Sequence, residues 1–138
     1  MRESAMRRLT ALLFVVLTSA ALHGATATAA DAPAQRFVIF FQEWSAAFDD
    51  PALGAISQAA AYAQAHPGSH VHVVGFADPT GSKQANVLMS ELRAQVVSDQ
   101  LVLDGVPARR IEQVGRGSVQ FALTGQESRR VEIAVGGR

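Results

Sequence analysis

Between Phe37 and Val135 the sequence passes from β-branched and aromatic runs to runs with helical spacing and back. Nothing else in the chain restricts its fold as much. Phe37-Val38-Ile39-Phe40-Phe41 has no polar residue and reads as a buried strand. Asp49-Asp50-Pro51 then predicts a helix start, with Asp50 as N-cap and Pro51 in the first helical position. That helix runs to about Ala65, placing Leu53, Ile56, Ala60 and Ala63 on one face until His66-Pro67-Gly68 stops it. His70 to Gly75 predicts a second strand and Ala77 to Ser82 a loop. Lys83 to Leu103 predicts a second helix with an apolar stripe of Ala85, Leu88, Leu92, Val96 and Leu103. Gly105 suits a left-handed C′ position, and Pro107 prevents continuation. Ile111–Val114 and Val131–Val135 are the remaining strands. The order strand, helix, strand, helix, strand, strand implies an α+β fold, with two helices packed on one side of a mixed sheet.

The chain has 138 residues, 12 basic and 12 acidic, so its formal charge is zero. This argues against nucleic acid as a partner, which requires a basic surface. With no cysteine, disulfides, thiolate metal sites, a cysteine nucleophile and a lipid-accepting cysteine are excluded. The mean hydropathy of +0.14 is high for a soluble domain. Its source is the amino terminus. Arg2, Arg7 and Arg8 precede the uncharged stretch Leu9–Leu22, and Ala25-Thr26-Ala27-Thr28-Ala29-Ala30 offers overlapping A-x-A cleavage sites. A basic start, a short apolar run and small residues at the cut describe a secretory signal peptide. Fourteen uncharged residues fall short of the ~20 needed to span a membrane.

Residues 1–30 are therefore expected to be a signal peptide starting at Met1 or Met6 and cut after Ala29 or Ala30. Residues 31–36 form a short linker and 37–138 one domain. Losing Arg2, Arg7, Arg8 and Glu3 leaves 9 basic and 11 acidic groups, a net charge of −2. No transmembrane segment is expected in the mature chain.

The stretch Gly75-Phe76-Ala77-Asp78-Pro79-Thr80-Gly81-Ser82, then Asn86, then Leu88-Met89-Ser90-Glu91-Leu92-Arg93-Ala94 resembles the OmpA-like carboxy-terminal domain, a peptidoglycan-binding module of bacterial envelopes. The similarity continues through Gly105–Ile111 and Gly115-Arg116-Gly117 to Arg129-Arg130-Val131-Glu132-Ile133, covering nearly all of residues 37–135. It implies a βαβαββ two-layer sandwich, no enzymatic activity, no cofactor and a place in the periplasm or at the outer membrane. The implied partner is the peptidoglycan stem peptide, with envelope proteins as further partners. The implied ligand group is the diaminopimelate side chain, whose ammonium and carboxylate share one carbon. By this resemblance Asp78 binds the ammonium and Arg93 the carboxylate, while Asn86 and Arg129 line the pocket.

The residues themselves agree with that arrangement without requiring it. Asn86, Ser90 and Arg93 share a helix face pointing away from the Leu88/Leu92/Val96 stripe. Without the resemblance, this is a solvated polar face behind an Asp-Pro turn. Four features depart from the family pattern. Phe76 and Ala77 replace a His and a Thr, and Gln42-Glu43-Trp44-Ser45-Ala46 replaces an Asp-containing polar run. The Gly117–Glu127 loop is short, and Ser128 stands in place of an Asn. Each lost hydrogen bond is worth ~0.5–1.5 kcal/mol, enough together to weaken binding about tenfold. A second reading is therefore a periplasmic protein–protein adaptor that keeps the fold and has lost peptidoglycan.

Other chemistry is poorly supported. His70 and His72 alternate on one strand face, but no third metal ligand is evident, so half-buried strand residues are the simpler reading. Gly115-Arg116-Gly117-Ser118 lacks the Gly-Lys-Ser/Thr ending of a phosphate loop. Neither a nucleophile elbow nor a glycosidase carboxylate pair is present. Trp44, the single Trp, reads as core or as an edge residue packed by Phe48 in preference to a platform for a ligand or partner.

Overall fold

The computed structural model describes residues 33–118 and 124–136. The expected signal peptide lies outside them. The elements are β1 (Gln35–Phe40), α1 (Asp50–Ala65), β2 (Val71–Ala77), α2 (Lys83–Leu103), a 3-10 turn (Ala108–Arg110), β3 (Ile111–Ser118), the one-turn helix α3 (Gly125–Ser128) and β4 (Arg130–Val135). The sheet order is β1-β4-β2-β3. β2 and β3 are parallel, while β4 is antiparallel to both β1 and β2. This is the expected α+β architecture with a mixed sheet. Ile39, Val71, Val73, Val131, Ile133 and Val135 meet Ile56, Ala59, Ala63, Val97 and Leu101 of the helices in one core. The other sheet face carries Arg36, Glu132, His72 and Glu112, joined in pairs at 3.6 and 3.2 Å.

The ends of the helices follow their sequence signals closely. Asp49, not Asp50, is the N-cap of α1, its Oδ1 accepting from Ala52 N at 2.9 Å. Asp50 occupies the first turn instead, where an acid favours the positive end of the helix dipole. Ser82 caps α2 by accepting from Ala85 N at 3.1 Å. At its other end Gly105 takes φ +99°, Gly105 N donates to Val102 O at 3.0 Å and Val106 N to Leu101 O at 2.9 Å. These two bonds form a Schellman motif, with Val106 buried beneath it.

The packing faces differ from expectation. β1 is an edge strand with one face exposed, because it pairs with β4 alone. Ile39 is buried, while Val38 and Phe40 are 41% and 44% exposed. In α1 the inward residues are Ala52, Ile56, Ala59, Ala60 and Ala63, and Leu53 is outside.

In α2 the leucines of the expected stripe face outward, and of that stripe Val96 packs against the core. Asn86, Ser90, Arg93, Ala94, Val97, Ser98 and Leu101 are buried, whereas Leu88, Leu92 and Leu103 are 59%, 49% and 79% exposed. Two glycines explain it. A Cβ on Gly75 would lie 2.0 Å from Ser90 O, and one on Gly115 would lie 2.4 Å from Glu91 N. The helix rides directly on strand backbone there, so only small or hydrogen-bonding side chains fit between them. Ser90 serves that role, its Oγ accepting from Gly117 N at 2.8 Å and donating to Val87 O at 2.8 Å.

Among the described residues, no helix is long and apolar enough to cross a membrane. Because β4 runs against β1 and β2, its first residues lie beside the last residues of both. Asp78, Arg129 and the loop after β1 therefore converge at one end of the sheet.

Candidate functional site

Asp78 is the first residue after β2 and is 7% exposed. Its Oδ1 accepts from the amide of Thr80 at 3.1 Å and from the Thr80 hydroxyl, closing an Asx turn across Pro79. Its Oδ2 accepts from Arg129 Nη1 at 2.9 Å. Burial on its own would raise this carboxyl. The Thr80 hydroxyl, the Arg129 guanidinium and the Thr80 amide outweigh burial and hold it below its ordinary value, so it is a carboxylate at neutral pH.

Arg129 lies in the bend between α3 and β4. Its Nε donates to Phe41 O at 3.2 Å, and its own carbonyl accepts from Phe41 N at 2.8 Å. The β1–β4 ladder thus extends one residue further and fixes the guanidinium beside Asp78.

Arg93, on the inner face of α2, is only 1% exposed. Its Nε donates to Ser45 O at 2.9 Å, Nη2 to Gln42 O at 3.0 Å and Nη1 to Phe76 O at 3.4 Å, with the guanidinium 5.2 Å from the Phe41 ring centroid. Burial first, and then repulsion from Arg129, depress its affinity for the proton, while Asp78 opposes them. A guanidinium nevertheless remains charged at neutral pH. The direct ion pair of Asp78 is with Arg129, and Arg93 pins the loop after β1 through main-chain carbonyls.

Asn86, one turn into α2, is 3% exposed and reaches the same cleft. All four residues singled out from the sequence, Asp78, Asn86, Arg93 and Arg129, therefore line one cleft, together with Glu43, Trp44, Ala77 and Met89. Its free volume is about 10 Å³, room for roughly one water.

Trp44 is neither core nor packed by Phe48, which faces Phe41 at 6.1 Å instead. It is 53% exposed, has φ 52° and lies against Gly81 at the cleft mouth. Glu43 is a site residue that sequence reasoning does not single out, and the same holds for the use of Gln42, Ser45 and Phe76 through their carbonyls; Trp44 is singled out, but with core or edge packing favoured over a place at the site. A lone aromatic in a polar run directly after a strand is the available signal for Trp44.

The departures from the family pattern also have locations. Ala77 is buried on the cleft wall, where no hydroxyl is available. Phe76 lies beneath the Arg130 guanidinium at 4.3 Å. Ser128 is buried and its Oγ donates to Thr124 O at 3.2 Å, away from the ion pair. His72 contacts Glu112 and stacks with His70 at 6.4 Å. Among the described residues no three His, Cys, Asp or Glu side chains gather where they could hold a metal.

A family model described as the OmpA family matches residues 40–132. The peptidoglycan-associated lipoprotein of Legionella pneumophila is 33% identical over 98 residues, 63% of this chain and 56% of that protein. The peptidoglycan-binding protein ArfA of Mycobacterium bovis is 38% identical over 78 residues, 52% of this chain and 24% of that protein. The chain thus spans about half, or less, of these relatives. Among solved structures, the peptidoglycan-associated lipoprotein from Burkholderia pseudomallei superposes with TM-score 0.66 at 24% identity, covering 72% of this chain and 89% of that one.

Proposed function

The chain belongs to the OmpA family, and on that premise we propose that it is a non-enzymatic peptidoglycan-binding module, exported to the cell envelope, that grips the diaminopimelate of the stem peptide. The observation that carries this reading is the Asp78–Arg129 ion pair, at 2.9 Å, with Arg93 and Asn86 beside it in one cleft. The charged groups lining the cleft are Glu43, Asp78, Arg93 and Arg129, which sum to zero. Such a site favours a ligand carrying both signs over a simple anion or cation. The lone pair left on Asp78 Oδ2 suits an ammonium, and guanidinium donors not yet engaged suit a carboxylate. The peptidoglycan-binding names of the relatives supply the polymer.

Co-sedimentation of the purified exported domain with sacculi tests the proposal. Wild-type protein should pellet, free diaminopimelate should release it, and Asp78→Asn should remain in the supernatant. Failure of the wild type to pellet, or equal pelleting by Asp78→Asn, overturns the proposal. Co-sedimentation also separates this reading from an adaptor that kept only the fold. The adaptor reading draws on the exposed Leu88, Leu92 and Leu103 of α2 and expects envelope protein binding without sacculus binding.

A further inference from the structure

The cleft is too small for the ligand proposed above. Room for one water does not hold an amino-acid head group of an ammonium, a carboxylate and the carbon between them. Trp44 is one of the side chains that line it. A Cβ built on Gly81 would lie 2.7 Å from Cη2 and 3.3 Å from Cζ2 of the indole, so the ring edge rests directly on the glycine. Gly81 follows Thr80, the residue that fixes the Asp78 carboxylate, so the indole touches the same turn that presents the acid. The other ring surface faces solvent, since Trp44 is 53% exposed.

The backbone beneath the ring is in a sparsely populated region. Trp44 has φ 52°, the only positive φ among the described residues other than glycine. A bulky residue there is strained, at a cost that neighbouring contacts must offset. Ser45 holds it on one side, its carbonyl taken by Arg93 Nε and its hydroxyl accepting from Ala47 N at 3.0 Å. Ser45 N donates to Gln42 O at 3.2 Å, closing a turn around Glu43 and Trp44. Residues 42 and 45 are thus pinned by Arg93, and Glu43 and Trp44 are the two residues spanned between those anchors.

We infer that Trp44 is a movable cover of the Asp78–Arg129 cleft, which must leave Gly81 to admit a zwitterionic head group and then closes over it. The inference rests on the ligand class proposed above. An aromatic face next to Asp78 would also favour a bound ammonium through its ring quadrupole. The cover therefore acts on both rates. It slows entry while it rests on Gly81 and slows exit once it lies on the ligand.

Trp44 is the single Trp, so its emission reports the cover directly. Titration of the exported domain with diaminopimelate, followed in parallel by calorimetry, should give a saturable emission change with the calorimetric midpoint. Trp44→Gly removes the ring and suits the positive φ, so it should fold. Stopped-flow anisotropy with a fluorescein-labelled stem tripeptide should show association and dissociation both faster by about tenfold in this variant. Trp44→Phe should fall between the two. If calorimetry shows binding but the emission is constant, or if Trp44→Gly leaves both rates unchanged, the cover is overturned and the ligand reading stands. If calorimetry shows no binding by the wild type, the ligand reading fails and the cover fails with it.

Discussion

The two arginines nearest Asp78 have different duties, and single substitutions should separate them. Arg93 is buried and satisfies three carbonyls from two segments, Gln42 and Ser45 on one side and Phe76 on the other. Arg93→Ala leaves those acceptors unpaired, so we expect a loss of about 3–5 kcal/mol and a thermal midpoint lower by roughly 15 °C or more. Loss of ligand binding in that variant would then report unfolding. Asp78→Asn keeps the shape of the turn and should cost about 1–2 kcal/mol, which makes it the cleaner probe. Its effect should depend on pH in one direction. The folded-state pKa of Asp78 is lowered below 3.8, so the folded form binds fewer protons and is favoured wherever the unfolded carboxyl is ionised. The stability gap between wild type and Asp78→Asn should be constant from about pH 5 to 8 and close as pH falls through the depressed pKa. Chemical denaturation at a series of pH values measures it, and a gap that widens toward acid contradicts the assignment. Asp78 itself is legible from its motif, but its partner is not. Arg129 lies 51 positions away, and only the register of β4 against β1 and β2 brings it to 2.9 Å.

The helices show what periodicity can and cannot supply. The limits of α2, Lys83 and Leu103, come from a serine cap and a glycine stop that act locally. Its inward face does not, because hydrophobicity identifies a core face only when the facing surface is made of side chains. At Gly75 and Gly115 the facing surface is backbone, and close approach selects Ser90 and Ala94 over leucine. Two opposite outcomes are expected. Leu92→Gln, on the exposed stripe, should change stability by no more than about 0.5 kcal/mol, whereas a stripe-in-core helix would lose several. Gly75→Ala should prevent proper docking of α2, lowering the midpoint by more than about 10 °C if the domain folds at all. In α1, Gly54 is exposed, with nothing within 4 Å of a built Cβ. Gly54→Ala should therefore gain about 0.5–1 kcal/mol from helix propensity, read as a midpoint several degrees higher by circular dichroism.

At the scale of the whole molecule, strand–helix order and motif series are enough to reach the architecture, since each element carries its own boundary signals. The position of the cleft is a consequence of that topology, as three chain segments end together where β4 opposes β1 and β2. The place of Trp44 at the cleft mouth is not, because it depends on one left-handed residue. The remaining division of the chain separates residues 1–30 from the domain, and here the charge distribution is informative. A leader of net +2 precedes a domain of net −2, the basic start being a mark of a secretory leader, and the domain has no cysteine to form wrong disulfides in an oxidising compartment. We propose that residues 1–30 direct export and are removed. Expressed in a Gram-negative host, the protein recovered by osmotic shock should begin at Ala30 or Asp31 by amino-terminal sequencing. Leu17→Arg would place a charge inside the uncharged stretch Leu9–Leu22, so the unprocessed form should accumulate in the cytoplasm. Protein absent from the osmotic-shock fraction and found in the cytoplasm, with its amino terminus at Met1 or Met6, would refute the division. The Asp78–Arg129 cleft would then face a cytoplasm without peptidoglycan, and the adaptor reading would be the one to pursue.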